Sequence, residues 1–150
     1  MKVSKTSIYA IRLIVRLAKE ENKNLLMVEE LAKEEKIPKH YAAKILQRLA
    51  KYDYVDSFKG RGGGFRLTNK SWNLSLYEVI EFLDGKIKLE YCFFEFSSCS
   101  VADPCTFCKE WNIISNQIID LLINYKIGDL AKYRSPNAIF NKMNNLKAYV

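Results

Sequence analysis

The apolar positions of the chain follow a helical period at both ends and an alternating one in the middle. Over residues 4–20, Ile8, Ile11, Ile14, Val15 and Ala18 recur at helical spacing, with Arg12, Arg16 and Lys19 largely on other faces. This predicts an amphipathic first helix, and residues 22–26, which break the period, are the connection after it. Residues 28–35 predict a short second helix. Pro38, whose fixed φ suits the first helical position, opens a third over 38–51 with Ile45, Leu46 and Leu49 on its inner edge. That leaves Lys39, His40, Ala43, Lys44, Gln47 and Lys51 mostly outside. Residues 55–59 and 65–68 then read as two short strands, and residues 60–64 supply glycines for a hairpin turn with positive φ. A fourth helix over 76–84 is stopped by Gly85, and Ser75 with Glu78 forms a capping box at its start. Residues 109–126 predict a longer helix with Ile114, Ile118, Leu121 and Tyr125 on one stripe. Ile113, Ile119, Leu122 and Ile123 cover much of the rest. A helix apolar nearly all round must bury more than one side, either against its own domain and a second subunit or as the central core helix of a monomer. Gly128 is expected to end it, and residues 132–150, rich in Asn and Lys, to form a loosely held tail.

Two short helices joined by a tight turn, with Lys and Gln exposed on the second, form a helix-turn-helix pattern. Lys and Gln reach base edges, and small Ala42 and Ala43 would let the helix backbone approach a groove. The hairpin that follows carries Lys59, Arg61 and Arg66 and reads as a wing, whose tip can enter a minor groove where the negative potential favours Arg. A glycine-rich loop can also cradle phosphate, but no Gly-Lys-Ser/Thr follows this one, so it does not meet the P-loop pattern. The competing reading is a plain three-helix core with solvated lysines.

Charge moves that balance. The 150 residues carry a net +7, with 16 Lys/Arg against 8 Asp/Glu over residues 1–70 and 8 against 9 over residues 71–150. The basic excess in the front half suits a polyanion, whose phosphates supply most non-specific affinity. The candidate contacts to double-stranded DNA are Lys39, His40, Tyr41, Ala43, Lys44 and Gln47 on the third helix and Lys59, Arg61, Gly62 and Gly63 on the wing. The length suits one domain, and 49% hydrophobic with 27% charged residues is a globular composition. No apolar run approaches the roughly 18–20 residues of a membrane span, and the N-terminus lacks a signal-peptide core, so a cytoplasmic protein without a membrane partner is expected. The single histidine, His40, lies on the reading helix and no nucleophile–base pattern accompanies it, so no enzyme is expected.

All four cysteines lie within residues 92–108, spaced C-x6-C-x5-C-x2-C. In a reducing compartment such a cluster reads as a metal or redox site before it reads as disulfides. Four thiolates complete a tetrahedral zinc site or an iron–sulfur cluster. In the run D-P-C-T-F-C, Asp103 is the expected N-cap and Pro104 the first helical residue, which puts Cys105 and Cys108 on one face of the first turn. The positive end of the helix dipole stabilises thiolates there. Structural zinc prefers tight pairs of cysteines, of which there is one; a thiol switch needs no metal. A merely packed set sits poorly with the polar Ser97, Ser98, Asp103 and Pro104.

The start M-K-V-S-K-T-S-I-Y-A-I-R, the stretch V-E-E-L-A-K-E-E-K-I-P-K-H-Y-A-A-K-I-L-Q-R-L and the wing G-R-G-G-G-F-R-L, which fits G-x-x-G-G-Y/F-x-L, together resemble the Rrf2 family of bacterial winged-helix transcription regulators. The resemblance implies a mainly α fold with a small β-hairpin wing: a winged helix-turn-helix domain plus a long dimerisation helix. It implies one domain over residues 1–131, with a cluster-binding loop at 92–108, the dimerisation helix at about 104–127, and a homodimer on a pseudo-palindromic operator. Cluster-binding members carry three cysteines spaced about C-x5-C-x5-C, which Cys92, Cys99 and Cys105 match with one extra residue in the first gap. A branch similar to the iron–sulfur assembly regulator has a His three residues after the third cysteine, where this chain has Cys108. A branch similar to nitric-oxide sensors takes an Asp from the first helix, where this chain has Ile8, which cannot ligate. The implied cofactor is thus a 2Fe–2S or 4Fe–4S cluster on Cys92, Cys99, Cys105 and Cys108, with zinc as the alternative metal. Ala43 stands where the assembly regulator has a Glu that discriminates operators, so its operator rules do not carry over. Met27, at the expected N-cap of the second helix, lacks a capping oxygen and weakens that start by about 1 kcal/mol.

Overall fold

The structure, a computed structural model, describes residues 3–20, 24–87, 93–94 and 105–132. Helix α1 spans Lys5–Ala18 and is capped by Ser4, whose hydroxyl accepts from the Ser7 N–H at 3.1 Å. Its inner face is Ser7, Ala10, Leu13, Ile14, Leu17 and Ala18. The expected stripe is therefore rotated: Ile8 is 44% exposed, and Ile11 and Val15 are half-buried. The reason is crowding, since α1 packs against three other helices, and small Ser7 and Ala10 admit them closely where Ile8 and Ile11 would not.

Helix α2 spans Val28–Glu34 and α3 spans Lys39–Lys51. Met27 offers no capping oxygen, but its N–H is satisfied by Glu30 Oε2 at 3.0 Å, which recovers half of a capping box. Between the helices Lys36 takes φ 53°, and Ile37, which is buried, donates to Ala32 O at 2.9 Å. Pro38 is the N-cap of α3 and not its first helical residue. Ala42 joins Ile45, Leu46 and Leu49 in the core, so it faces inward and is not a groove-facing residue.

Strands β1 (Val55–Phe58) and β2 (Gly64–Leu67) pair antiparallel, with Val55 opposite Leu67 and Phe58 opposite Gly64. Leu26, expected to be plain connection, adds a one-residue third strand. It exchanges both backbone hydrogen bonds with Phe65, at 3.0 and 2.9 Å. A Cβ on Gly64 would lie 2.7 Å from Leu26 O, so this close approach requires glycine. A short 3-10 turn, Asn69–Asn73, leads to α4, Leu76–Asp84. The capping box predicted there is present: the Ser75 hydroxyl accepts from the Glu78 N–H at 3.1 Å, and Glu78 Oε2 accepts from the Ser75 N–H at 2.7 Å. Gly85 ends the helix with φ 85°.

Helix α5 spans Thr106–Asn124 and ends before Gly128. The chain then returns to the body through an antiparallel bridge, in which Leu76 N–H donates to Tyr125 O at 3.0 Å and Ile127 N–H to Leu74 O at 2.9 Å. Gly128 lies inside α6, Ile127–Ala131, where a Cβ would meet Trp72 Nε1 at 2.2 Å. It is needed for this contact with the indole and not, as expected, to stop a helix. Of the expected tail, residues 132–150, all but Lys132 lie outside the described residues. Among the described residues no helix is long and apolar enough to cross a membrane.

Hydrogen bonds from the Ser75 hydroxyl and N–H, aided by the Lys126 charge, hold the Glu78 carboxyl below its usual range against the opposing effect of burial. A depressed carboxyl pKa stabilises the fold above the unfolded-state value, roughly 4.3, and the contribution is lost as pH falls through the lower folded-state value. Ser75→Ala is expected to cost about 1 kcal/mol at neutral pH. Chemical denaturation from pH 7 to pH 3 should show the gap between wild type and variant narrowing as Glu78 protonates; an equal gap throughout contradicts the assignment.

Candidate nucleic-acid interface and cysteine segment

The outward strip of α3 is polar and mostly unburied. Lys39, His40, Lys44, Gln47 and Lys51 are all exposed, and the last four follow helical spacing along one face. Lys39 Nζ pairs with Glu29 Oε1 at 2.5 Å, and this hydrogen bond holds the Glu29 carboxyl below its usual range. Ala43 is half-buried beside this strip. Tyr41 is also half-buried and turns toward α1: its hydroxyl shares a 2.5 Å hydrogen bond with Thr6 Oγ1, and its ring meets Tyr9 edge-on at 5.8 Å.

The wing tip is shaped by glycine. Gly60 and Gly62 take φ 95° and 78°, and Gly63 N–H donates to Gly60 O at 3.0 Å to close the turn. A Cβ on Gly63 would lie 2.2 Å from Phe58 O. Lys59, Arg61 and Gly62 are exposed there, and Gly63 is half-buried. Arg66 points to the wing's own surface, bound to Asp56 Oδ2 at 3.1 Å and stacked over Phe58 at 5.1 Å.

At the start of the long helix the expected cap is displaced. Helix α5 begins at Thr106, with Cys105 and not Asp103 as the N-cap. Cys105 is exposed, whereas Cys108, in the first turn, is completely buried. Cys92, Cys99, Asp103 and Pro104 lie outside the described residues, which therefore include two of the four expected ligands. Among the described residues no group of three or more His, Cys, Asp or Glu side chains is placed to hold a metal. An aromatic cluster adjoins the cysteine pair. Phe93 lies 4.9 Å from Trp111 and 5.9 Å from Phe107, and Phe94 lies 4.9 Å from Phe107, measured between ring centroids. The residues following Cys92 in sequence are thus held beside the first turns of α5. Sequence reasoning passed over these rings; the signal was the pair Phe93–Phe94 upstream of a Phe107/Trp111 helical spacing.

Helix α5 has two unlike sides. Cys108 and Ser115 are buried where it packs in its own chain, principally on α4. About a quarter-turn round the helix from them, Phe107, Ile114, Leu121 and Tyr125 are 40–56% exposed. With Trp111 and Ile118 between them they alternate steps of four and three residues, the spacing of a coiled-coil seam.

Comparison with known proteins gives these features a context. The profile of the family Rrf2, described as an iron-dependent transcriptional regulator, matches residues 3–133. An HTH-type transcriptional regulator of Aquifex aeolicus is 33% identical over 132 residues, covering 87% of this chain and 91% of that one. The HTH-type transcriptional regulator NsrR of Bacillus licheniformis is 27% identical over 131 residues, covering 87% and 92%. The solved structure of CymR, the global cysteine regulator of B. subtilis, superposes with a TM-score of 0.75 over 90% of this chain and 99% of that one, at 21% identity.

Proposed function

The chain belongs to the Rrf2 family of transcriptional regulators, and from that premise we propose that it is a cytoplasmic, homodimeric operator-binding protein switched by an iron–sulfur cluster on Cys92, Cys99, Cys105 and Cys108. The observation that carries the reading is the start of α5: an exposed thiol at the N-cap, a buried thiol one turn on, and Phe93, the residue after Cys92, edge-on to Trp111. A helix N-terminus favours the thiolate, the form that binds iron, so the described half of the donor set fits the group. When bound, a cluster supplies a centre that responds to redox poise, oxygen, nitric oxide or iron–sulfur supply.

The chain's own residues supply the rest. Lys44 and Gln47 reach base edges in the major groove, with Lys39 and His40 at the leading end of α3 and Tyr41 and Ala43 shaping its flank. Lys59 and Arg61, set out by the turn at Gly62 and Gly63, grip phosphate and the minor groove. The seam on α5 pairs with that of a second copy, and two-fold symmetry then calls for a pseudo-palindromic operator. A coupling of typically 1–3 kcal/mol between cluster and operator gives a 5–150-fold change in affinity.

Anaerobic purification tests the cofactor. The expected protein is brown, contains iron and sulfide, and loses its thiolate-to-iron absorption in Cys105→Ala and Cys108→Ala variants. A colourless protein containing zinc supports a zinc-stabilised regulator instead, and one with no metal supports a thiol switch. Sedimentation tests the seam: Leu121→Asp is expected to convert a dimer to a folded monomer, and a monomeric wild type contradicts the pairing.

A further inference from the structure

The last turn of α4 fastens three helices at one place. The final carbonyls of a helix have no partner within it, and Arg48 of α3 donates to one of them, Phe82 O, at 3.2 Å. The same guanidinium stacks over the Phe82 ring at 5.1 Å. That ring is also met edge-on by Tyr52 at 4.6 Å and by Tyr54 at 5.2 Å. Two residues on, Asp84 Oδ2 accepts from the Ser4 N–H at 2.8 Å and Asp84 Oδ1 from the Ser4 hydroxyl at 2.6 Å. A carboxylate at the end of its own helix is opposed by that helix's dipole. Here it is set against the N-terminus of α1, where the dipole favours it. Burial would raise the Asp84 pKa, but hydrogen bonds from Ser4 and Ser7 and the charge of Arg48 outweigh it and hold the carboxyl below its usual range. A direct polar tie between α1 and α3, Thr6 to Tyr41, lies near the start of α3. Arg48 therefore secures the later part of the reading helix, and it does so through a turn that leads by way of Gly85 toward the cysteine segment.

We propose that Arg48 and Asp84 are positioning residues, which set the angle of α3 against α1 through the last turn of α4 and so govern how specifically α3 binds an operator. The inference rests on the regulator reading for its functional meaning, and it requires neither residue to touch DNA. It also explains an acidic residue held close to a basic reading helix: the charge of Asp84 serves the joint between helices.

Charge makes the test discriminating. Asp84→Asn removes a negative charge, so electrostatics alone would leave DNA binding unchanged or tighter. The proposal expects the reverse for specific binding. Affinity for a duplex selected by the wild-type protein from a random library falls about tenfold, within the usual range of coupling effects. Affinity for a scrambled duplex and the salt dependence stay unchanged. Ser4→Ala, which alters no charge, and Arg48→Gln move operator affinity in the same direction. Hydrogen exchange without DNA should quicken in the later half of α3 in Asp84→Asn, with the wing unaffected. Wild-type operator affinity together with wild-type exchange in that variant overturns the proposal. So does an Arg48→Gln loss that is equal on both duplexes with the salt slope reduced by about 1, which marks a phosphate contact. If the wild type selects no preferred duplex, the regulator reading fails, and the exchange measurement still decides the joint.

Discussion

Two backbone hydrogen bonds, from Leu76 to Tyr125 and from Ile127 to Leu74, determine how the long helix relates to everything else. They close an antiparallel bridge between segments about fifty residues apart, in the middle of which Ser75 faces Lys126. Ile127 is fully buried just beyond it, and Gly128 then fits beneath the Trp72 indole. The C-terminal end of α5 is therefore rooted in the body that carries α3 and the wing. With 19 residues, the helix extends about 28 Å from that root to the cysteine pair at its other end.

This rooting gives the two sides of α5 their meaning. One side packs in its own chain and buries Cys108; an adjoining face carries an apolar seam on which Ile114, Leu121 and Tyr125 are exposed, while Phe93 and Phe94 lie against Phe107 and Trp111. Helix α5 also packs on α4, whose last turn is bonded to both α1 and α3. The charge asymmetry agrees with this division, since the basic excess lies in residues 1–70 while the segment with the thiols is near neutral.

Much of this was legible in the residues, and the failures share a cause. The capping box at Ser75, the glycine turn of the wing and the inner edge of α3 depend on neighbours within a few positions, and each is present as expected. The stripe on α1, the inward turn of Ala42 and the place of Gly128 were misread because periodicity finds a face only to within a residue or so, while packing partners decide which residues occupy its centre. Leu26 as a third strand and the bridge at Ser75 join distant segments and leave no local signal. The cysteine cluster was visible as spacing alone, and the aromatic rings beside Cys105 and Cys108 come from tertiary contacts that spacing does not encode. Arg48 and Asp84 likewise act through contacts between distant helices, which leave no local mark in the sequence.

The central claim is that the state of the cysteine segment changes how strongly the winged-helix body holds its operator. The direct measurement is anaerobic fluorescence anisotropy of one labelled operator duplex, titrated at fixed salt with cluster-loaded protein and with the same preparation stripped of metal. The account predicts affinities that differ 5–150-fold for the operator and agree for a scrambled duplex. Equal affinities of the two forms for the operator would contradict it.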